Sequence, residues 1–225
     1  MDKTLYEQNA SAVYIKGLMK MWHFLWEELQ NNKVEFSKSN SDGRINSVMD
    51  EETIINLLIA EFPLNIERAD DRCWHDMVFV WDNFRYYINI KCSTGQTDNA
   101  LNKKAIVYSL STLDPDAIAK SMNINKMVTY INDNPKETRS PSKEYYYLYV
   151  DKIDGSVILK SLLDIQHFVA NSINILQINW KKEKRDAHQF NSMDINEARH
   201  NVLSVVTKSI KTYFDGCSIL LEQEF

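Results

Sequence analysis

Asp76, Asn89 and Lys91 are the residues of this chain whose types and spacing could do chemistry together. They lie in W-H-D-M-V-F-V-W-D-N-F-R-Y-Y-I-N-I-K-C-S, the stretch from Trp74 to Ser93. A carboxylate, an amide oxygen and an ammonium at the open end of a hairpin can hold a hard divalent cation beside a positive charge, a combination suited to phosphodiester hydrolysis. The same residues at the same places also read as ordinary solvated strand ends, and spacing alone leaves both readings open.

Two strands must position these groups. M-V-F-V-W and R-Y-Y-I-N-I are rich in β-branched and aromatic residues and flank Asp82-Asn83, which predicts a buried hairpin with a tight turn. Asp76 heads the first strand and Lys91 ends the second, and a period of two puts Asn89 and Lys91 on one face.

Elsewhere the apolar pattern predicts a layered α/β chain. Leu5, Val13, Ile15, Leu18, Trp22, Leu25, Trp26 and Leu29 recur at helical steps, so Thr4 to Gln30 is one long amphipathic helix or two abutting ones. Its aromatic load suits either the core or an oligomer interface. Asn31 to Asn46 reads as a polar surface loop with a turn at Ser41-Asp42-Gly43. Asp50 then reads as the N-cap of a short helix, T-I-I-N-L-L-I-A-E-F, stopped by Pro63.

L-N-I-E-R is the next strand, and after the hairpin a polar loop, C-S-T-G-Q-T-D-N-A-L-N, passes into the helix N-K-K-A-I-V-Y-S-L-S. Residues 113 to 143 carry no readable function. E-Y-Y-Y-L-Y-V-D, I-D-G-S and V-I-L-K make a second hairpin. A helix S-L-L-D-I-Q-H-F-V-A, a strand N-I-L-Q-I-N-W, a charged loop and a closing amphipathic helix from Ile195 follow. The order of helices and mixed strands is that of an α/β layered domain spanning 1–225, with no internal repeat and no linker.

Composition narrows the function classes. No signal-peptide pattern opens the chain and no apolar run approaches membrane-spanning length, so a soluble cytoplasmic protein with no membrane partner is expected. Three cysteines, Cys73, Cys92 and Cys217, share no repeated spacing and suit reduced thiols. A zinc site from Cys73, His75 and Cys92 would lack any CxxC pair or second His cluster. The net charge of −5 argues against indiscriminate nucleic-acid binding, although Lys103-Lys104 and K-K-E-K-R from 181 to 185 are local basic patches. No glycine-rich phosphate loop appears, so no nucleotide cofactor is expected.

The element order together with Asp76 and N-I-K at 89 to 91 resembles the PD-(D/E)xK nucleases, specifically type II restriction endonucleases of the EcoRV and HincII kind. That family places an Asp at the start of one strand, acidic-x-Lys at the end of the next, a glutamate on the preceding helix and a DNA-contacting loop and helix straight afterwards. The likeness covers about residues 43 to 210 and includes Y-L-Y-V-D, I-N-W and the charged loop ending Q-F-N. His75 stands where the family has Pro, and Asn89 stands where it has the acidic residue, which removes a negative charge from the metal site.

The resemblance implies a mixed β-sheet flanked by α-helices and a bacterial Mg²⁺-dependent enzyme that cuts double-stranded DNA at a palindromic site. It further implies an A·T-rich target, blunt ends and a homodimer. The helix glutamate falls on Glu52, with Glu51 one residue away, and Asp76, Asn89 and Glu52 become the metal ligands with Lys91 beside them. For either glutamate the plainer reading is a first-turn acid that complements the helix dipole.

Two loops are expected to touch DNA. Residues 179–194 would read the major groove through Asn179, Lys181, Lys182, Lys184, Arg185, His188, Gln189 and Asn191. Ser93, Thr94, Gln96, Thr97, Asn99 and Asn102 would follow the minor groove or the backbone. Helical residues 1–30 are the expected dimerisation region. A structure-directed repair or junction-resolving nuclease and a non-catalytic DNA-binding protein fit the same residues.

Overall fold

The computed structural model describes residues 1–31, 34, 36, 43–93, 99–171, 173–190 and 194–223. Its centre is a five-stranded mixed sheet. Three strands form an antiparallel meander: β1 (Ile66–Arg68), β2 (Met77–Trp81) and β3 (Phe84–Ser93). The connection then leaves the sheet through β4 (Asn99–Ala100), α4 (Lys103–Leu110) and α5 (Ile124–Asp133) before β5 (Tyr145–Asp151) returns parallel to β3. β6 (Val157–Ser161) closes the far edge antiparallel to β5, giving the order β1-β2-β3-β5-β6.

The β2–β3 hairpin forms where alternation predicts it. Asp82 and Asn83 both adopt positive φ, 49° and 64°, as a two-residue turn of the primed type requires. Only one face of β3 is fully buried: Tyr86, Ile88, Ile90 and Cys92 enter the core, while Tyr87, Asn89 and Lys91 are half-buried. The expected buried hairpin is thus buried over Met77–Phe79 and on one face of β3, and half-buried on the face that carries Asn89 and Lys91.

The N-terminal segment folds as two helices, α1 (Lys3–Val13) and α2 (Lys16–Gln30). Its aromatic residues seal the edge strand of the sheet. Trp22 Nε1 donates to the Val157 carbonyl at 3.0 Å, the Tyr6 hydroxyl bonds the Leu159 carbonyl and N–H at 2.5 and 2.6 Å, and the Tyr14 hydroxyl accepts the Ser161 N–H at 2.8 Å. Alternate backbone groups of β6 thus find partners that no further strand supplies. Much of the aromatic load that suggested an oligomer interface is used inside the chain.

Three expected elements differ. Helix α3 spans Gly43–Glu61, so it begins before Asn46 and Asp50 is no N-cap. Asp50 is buried in the helix interior, where Lys152 neutralises it at 2.5 Å. The expected helix from Ser161 to Ala170 is a 3₁₀ turn, Leu162–Asp164, followed by strand β7 (Phe168–Asn171). β7 pairs with β8 (Ile175–Ile178), which pairs with β4 in a second, three-stranded sheet covered by α7 (Ile195–Gln223).

The charged loop after β8 is also helical at its start, as α6 (Trp180–Arg185). Trp180 and Glu183 turn inward at its one buried face. No helix among the described residues is long and apolar enough to cross a membrane.

Candidate active site at the β2–β3 hairpin

Asp76 immediately precedes β2, and its backbone is held on both sides. Its N–H donates to the Ile88 carbonyl at 3.0 Å, and its carbonyl accepts the Ala69 N–H at 3.1 Å. The side chain turns toward β3, where Oδ2 accepts the Ile90 N–H at 2.7 Å. Burial pushes this carboxyl above the usual carboxylate range, and Glu52 adds to the rise. Lys91 and the Ile90 N–H act in the opposite sense.

Lys91 lies two residues before the end of β3, on the same face as Asn89 and Tyr87. Its Nζ is 3.1 Å from Glu51 Oε1 and 4.0 Å from Asp76 Oδ2. Two carboxylates from elements far apart in sequence therefore converge on one ammonium in a partly shielded place. Both glutamates stand in the interior of α3, two turns past its start, so a first-turn dipole role is corrected.

The two glutamates part company there. Glu51 faces Lys91 and is 16% exposed, whereas Glu52 is 46% exposed and pairs with Arg68 on β1 at 2.9 Å. The side-chain contact brings Glu51 to Lys91, and Glu52 acts on Asp76 through its charge. Spacing within the helix could not separate adjacent residues. A longer helix places them about 100° apart on its surface.

Asn89 is hydrogen-bonded to the Tyr145 hydroxyl, and that hydroxyl donates to the Trp74 carbonyl at 2.6 Å. Tyr145 thus ties the amide to the entrance of β2. It was not among the sequence candidates, because the parallel register that sets Tyr145 beside Tyr87 and Tyr147 beside Asn89 is invisible locally. β5 is buried along its whole length, so the floor beside the site is a wall of tyrosines.

His75 packs edge-on against Trp74 and Tyr87, with ring centroids 5.1 and 4.9 Å away. Burial, with Arg85 and Lys104 nearby, lowers its pKa to about 4, so the ring is neutral at physiological pH. Cys73 Sγ lies 3.6 Å from His75 Nδ1, but Cys92 is on the buried face of β3. Among the described residues no group of three or more His, Cys, Asp or Glu side chains is placed to hold a metal on its own. The zinc alternative from Cys73, His75 and Cys92 finds no such cluster.

The expected DNA-contacting residues are divided by the structure. Thr94, Gln96, Thr97 and Asn191 lie outside the described residues, as does the side chain of Asn99. Ser93 is buried at the end of β3. Asn102 and Asn179 are helix caps, their side chains accepting the Lys104 and Lys182 N–H groups at 2.9 and 3.0 Å. Lys184 is held by Asp151 and Asp154 at 2.7 and 2.8 Å.

Lys181, Lys182, Arg185 and Gln189 are exposed, and His188 is half-buried. Their segment is anchored by Glu183, whose carboxylate meets Lys160 at 2.5 Å with both side chains fully buried. Glu183 also accepts the N–H groups of Gln166 and His167 at 3.2 and 3.1 Å. The charged loop expected here is corrected to a short helix at its start, with one charged face and a buried root at Glu183. No protein-family model matches the chain, and no curated protein matches it.

Proposed function

We propose that this chain is a Mg²⁺-dependent endonuclease of the PD-(D/E)xK kind, acting on double-stranded DNA. The observation that carries the reading is the meeting of Glu51, Asp76 and Lys91, with Lys91 Nζ 3.1 and 4.0 Å from the two carboxylates. The placement supports it: a carboxylate at a strand entrance, a lysine near the end of the next strand, an acid on the preceding helix and a helix, α4, soon afterwards.

The donor set fits a hard cation. Asp76 and Glu51 would supply charge and Asn89 an amide oxygen; Glu51 takes the place of the helix glutamate, so the set carries one negative charge fewer than the family's. Such a cation, with oxygen ligands also drawn from water and substrate, supplies Lewis acidity toward a phosphate oxygen when bound. The raised pKa of Asp76 is consistent with a carboxylate whose charge lacks full compensation from the protein alone.

In this reading Lys91 orients the attacking water and offsets negative charge gathering on the phosphate oxygens. The Ile90 N–H fixes the Asp76 carboxylate, and Tyr145 fixes Asn89. Among the described residues expected to touch DNA, Lys181, Lys182, Arg185 and Gln189 of the 179–194 segment face solvent and would be available to it. A homodimer would bring two such sites to a palindrome, each cutting one strand.

The test is digestion of long mixed-sequence DNA with Mg²⁺ and with EDTA. Discrete fragments that require Mg²⁺ support a site-specific endonuclease, and their ends give target and stagger. A smear supports a nuclease directed by DNA structure. Intact DNA throughout overturns the reading.

A further inference from the structure

Two adjacent acids of α3 each meet a lysine at the same end of the sheet. Glu51 faces Lys91 at 3.1 Å, and Asp50 faces Lys152 at 2.5 Å. Lys152 is the first residue past β5, and its backbone N–H donates at 2.9 Å to the carbonyl of Ser93, the last residue of β3. One lysine therefore grips the end of the strand that carries Lys91 with its backbone, and α3 with its side chain. The charges of Glu51, Asp50, Lys152 and Lys91 all act on the buried thiol of Cys92, so both pairs belong to one neighbourhood.

The two pairs differ in what separation costs. Asp50 is 1% exposed, so parting it from Lys152 leaves a buried charge. Glu51 and Lys91 are 16% and 20% exposed, and water can take up either group when they part. The Asp50 contact is the fixed one, and the Glu51 contact is free to exchange.

The turn that carries Lys152 is itself held. The Asp151 N–H donates to the Ser156 carbonyl and the Gly155 N–H to the Asp151 carbonyl, each at 2.9 Å. Gln30 Nε2, at the end of α2, donates to the Gly155 carbonyl at 3.1 Å, and Lys184 of α6 holds Asp151 and Asp154 from the other side. Successive residues of a helix point about 100° apart, so pinning Asp50 to this turn sets where the next two acids point. Glu51 is turned to Lys91, and Glu52 is turned away to Arg68.

We propose that Lys152 is a positioning residue, which by holding Asp50 fixes the rotation of α3 that presents Glu51 to Lys91. Its consequence for DNA cleavage rests on the nuclease reading, whereas its effect on the contact between Glu51 and Lys91 does not.

Lys152→Met alone would strand Asp50 as a buried charge, so the test uses the paired replacement Asp50→Asn with Lys152→Met. Acetylation of lysines by acetic anhydride, in EDTA and without DNA, is followed by mass spectrometry. Lys91 should be modified about three- to fivefold faster in the paired variant than in the parent, the scale of one lost, partly exposed ion pair. Lys160, which is fully buried, should stay as slow as in the parent. Glu51→Gln should speed Lys91 in the same way, and adding the paired replacement to it should change nothing more, because a residue that acts through Glu51 has no effect once Glu51 is gone. Single-turnover DNA cleavage should follow the same pattern, falling about tenfold or more in the paired variant and no further in the Glu51→Gln background.

Equal labelling of Lys91 in the parent and the paired variant overturns the inference. So does a rise that Lys160 shares, which is general loosening, or one that persists undiminished in the Glu51→Gln background. Faster labelling of Lys91 alone, in a protein that never cuts DNA, would leave the positioning role standing and remove the nuclease reading.

Discussion

Lys91 and Glu51 meet at 3.1 Å across forty positions of sequence, and the contact joins the interior of α3 to the end of β3. Asp76 Oδ2 lies 4.0 Å from the same ammonium. Asp76 shares the open end of one hairpin with this lysine, whereas Glu51 could not be assigned to it from local pattern, because how α3 packs on the sheet sets that distance.

The division between Glu51 and Glu52 gives the first prediction. Glu51→Gln should lower single-turnover DNA cleavage by about 10²-fold or more, the scale of a lost catalytic or metal-holding group. Glu52→Gln should reduce it only a few-fold, since its partner is Arg68 on the surface. Equal losses would place both acids at the site.

Asp76 supplies a test in pH and stability. Its carboxyl is raised in the folded state, so the native protein binds an extra proton between the unfolded and the folded pKa. Stability contributed by this group is therefore present at low pH and lost as pH rises through the folded value. Asp76→Asn should be more stable than the parent at pH 7, with the difference shrinking toward pH about 3. Added Mg²⁺ should raise the unfolding temperature of the parent and leave the variant unmoved. A less stable variant at pH 7 would show that the carboxylate is there for the Ile90 N–H alone.

The buried pair under α6 predicts a stability defect. Lys160→Met leaves Glu183 charged and without its ammonium, which should destabilise by about 3–5 kcal/mol. Denaturant unfolding followed by far-UV circular dichroism measures it. Because Glu183 roots the segment that carries Lys181, Lys182, Arg185 and Gln189, the variant should also lose sequence preference before it loses cleavage.

A close approach predicts a second defect. A Cβ built on Gly17 would lie 2.4 Å from the ring of Trp81, so α2 can sit on the end of β2 only with glycine there. Gly17→Ala should destabilise by about 1–3 kcal/mol. Recovery in the double variant Gly17→Ala with Trp81→Leu would identify the ring as the obstacle.

The legible parts of this chain were those whose signals are local. Asp82-Asn83 between two β-rich runs gave the hairpin, and I-D-G-S gave the β5–β6 connection. Asp50 misled because an Asp before an apolar run looks like a cap, while the Lys152 that neutralises it lies 102 positions away. Ser161 to Ala170 has helical apolar spacing, yet pairing of β7 with β8 decides its form. Lys184 reads as a free cation until Asp151 and Asp154 are brought to it by the β5–β6 hairpin. In the site, Asp76, Asn89 and Lys91 were legible by alternation, whereas Glu51 and Tyr145 depended on tertiary packing.

The most direct measurement is cleavage of long mixed-sequence DNA by the purified chain in Mg²⁺, beside EDTA and beside Lys91→Ala. The account predicts discrete fragments in Mg²⁺ alone, with the Lys91→Ala rate down by about 10²–10⁴-fold while its duplex binding persists. Uncut DNA in every lane, or cutting by Lys91→Ala as fast as by the parent, would contradict it.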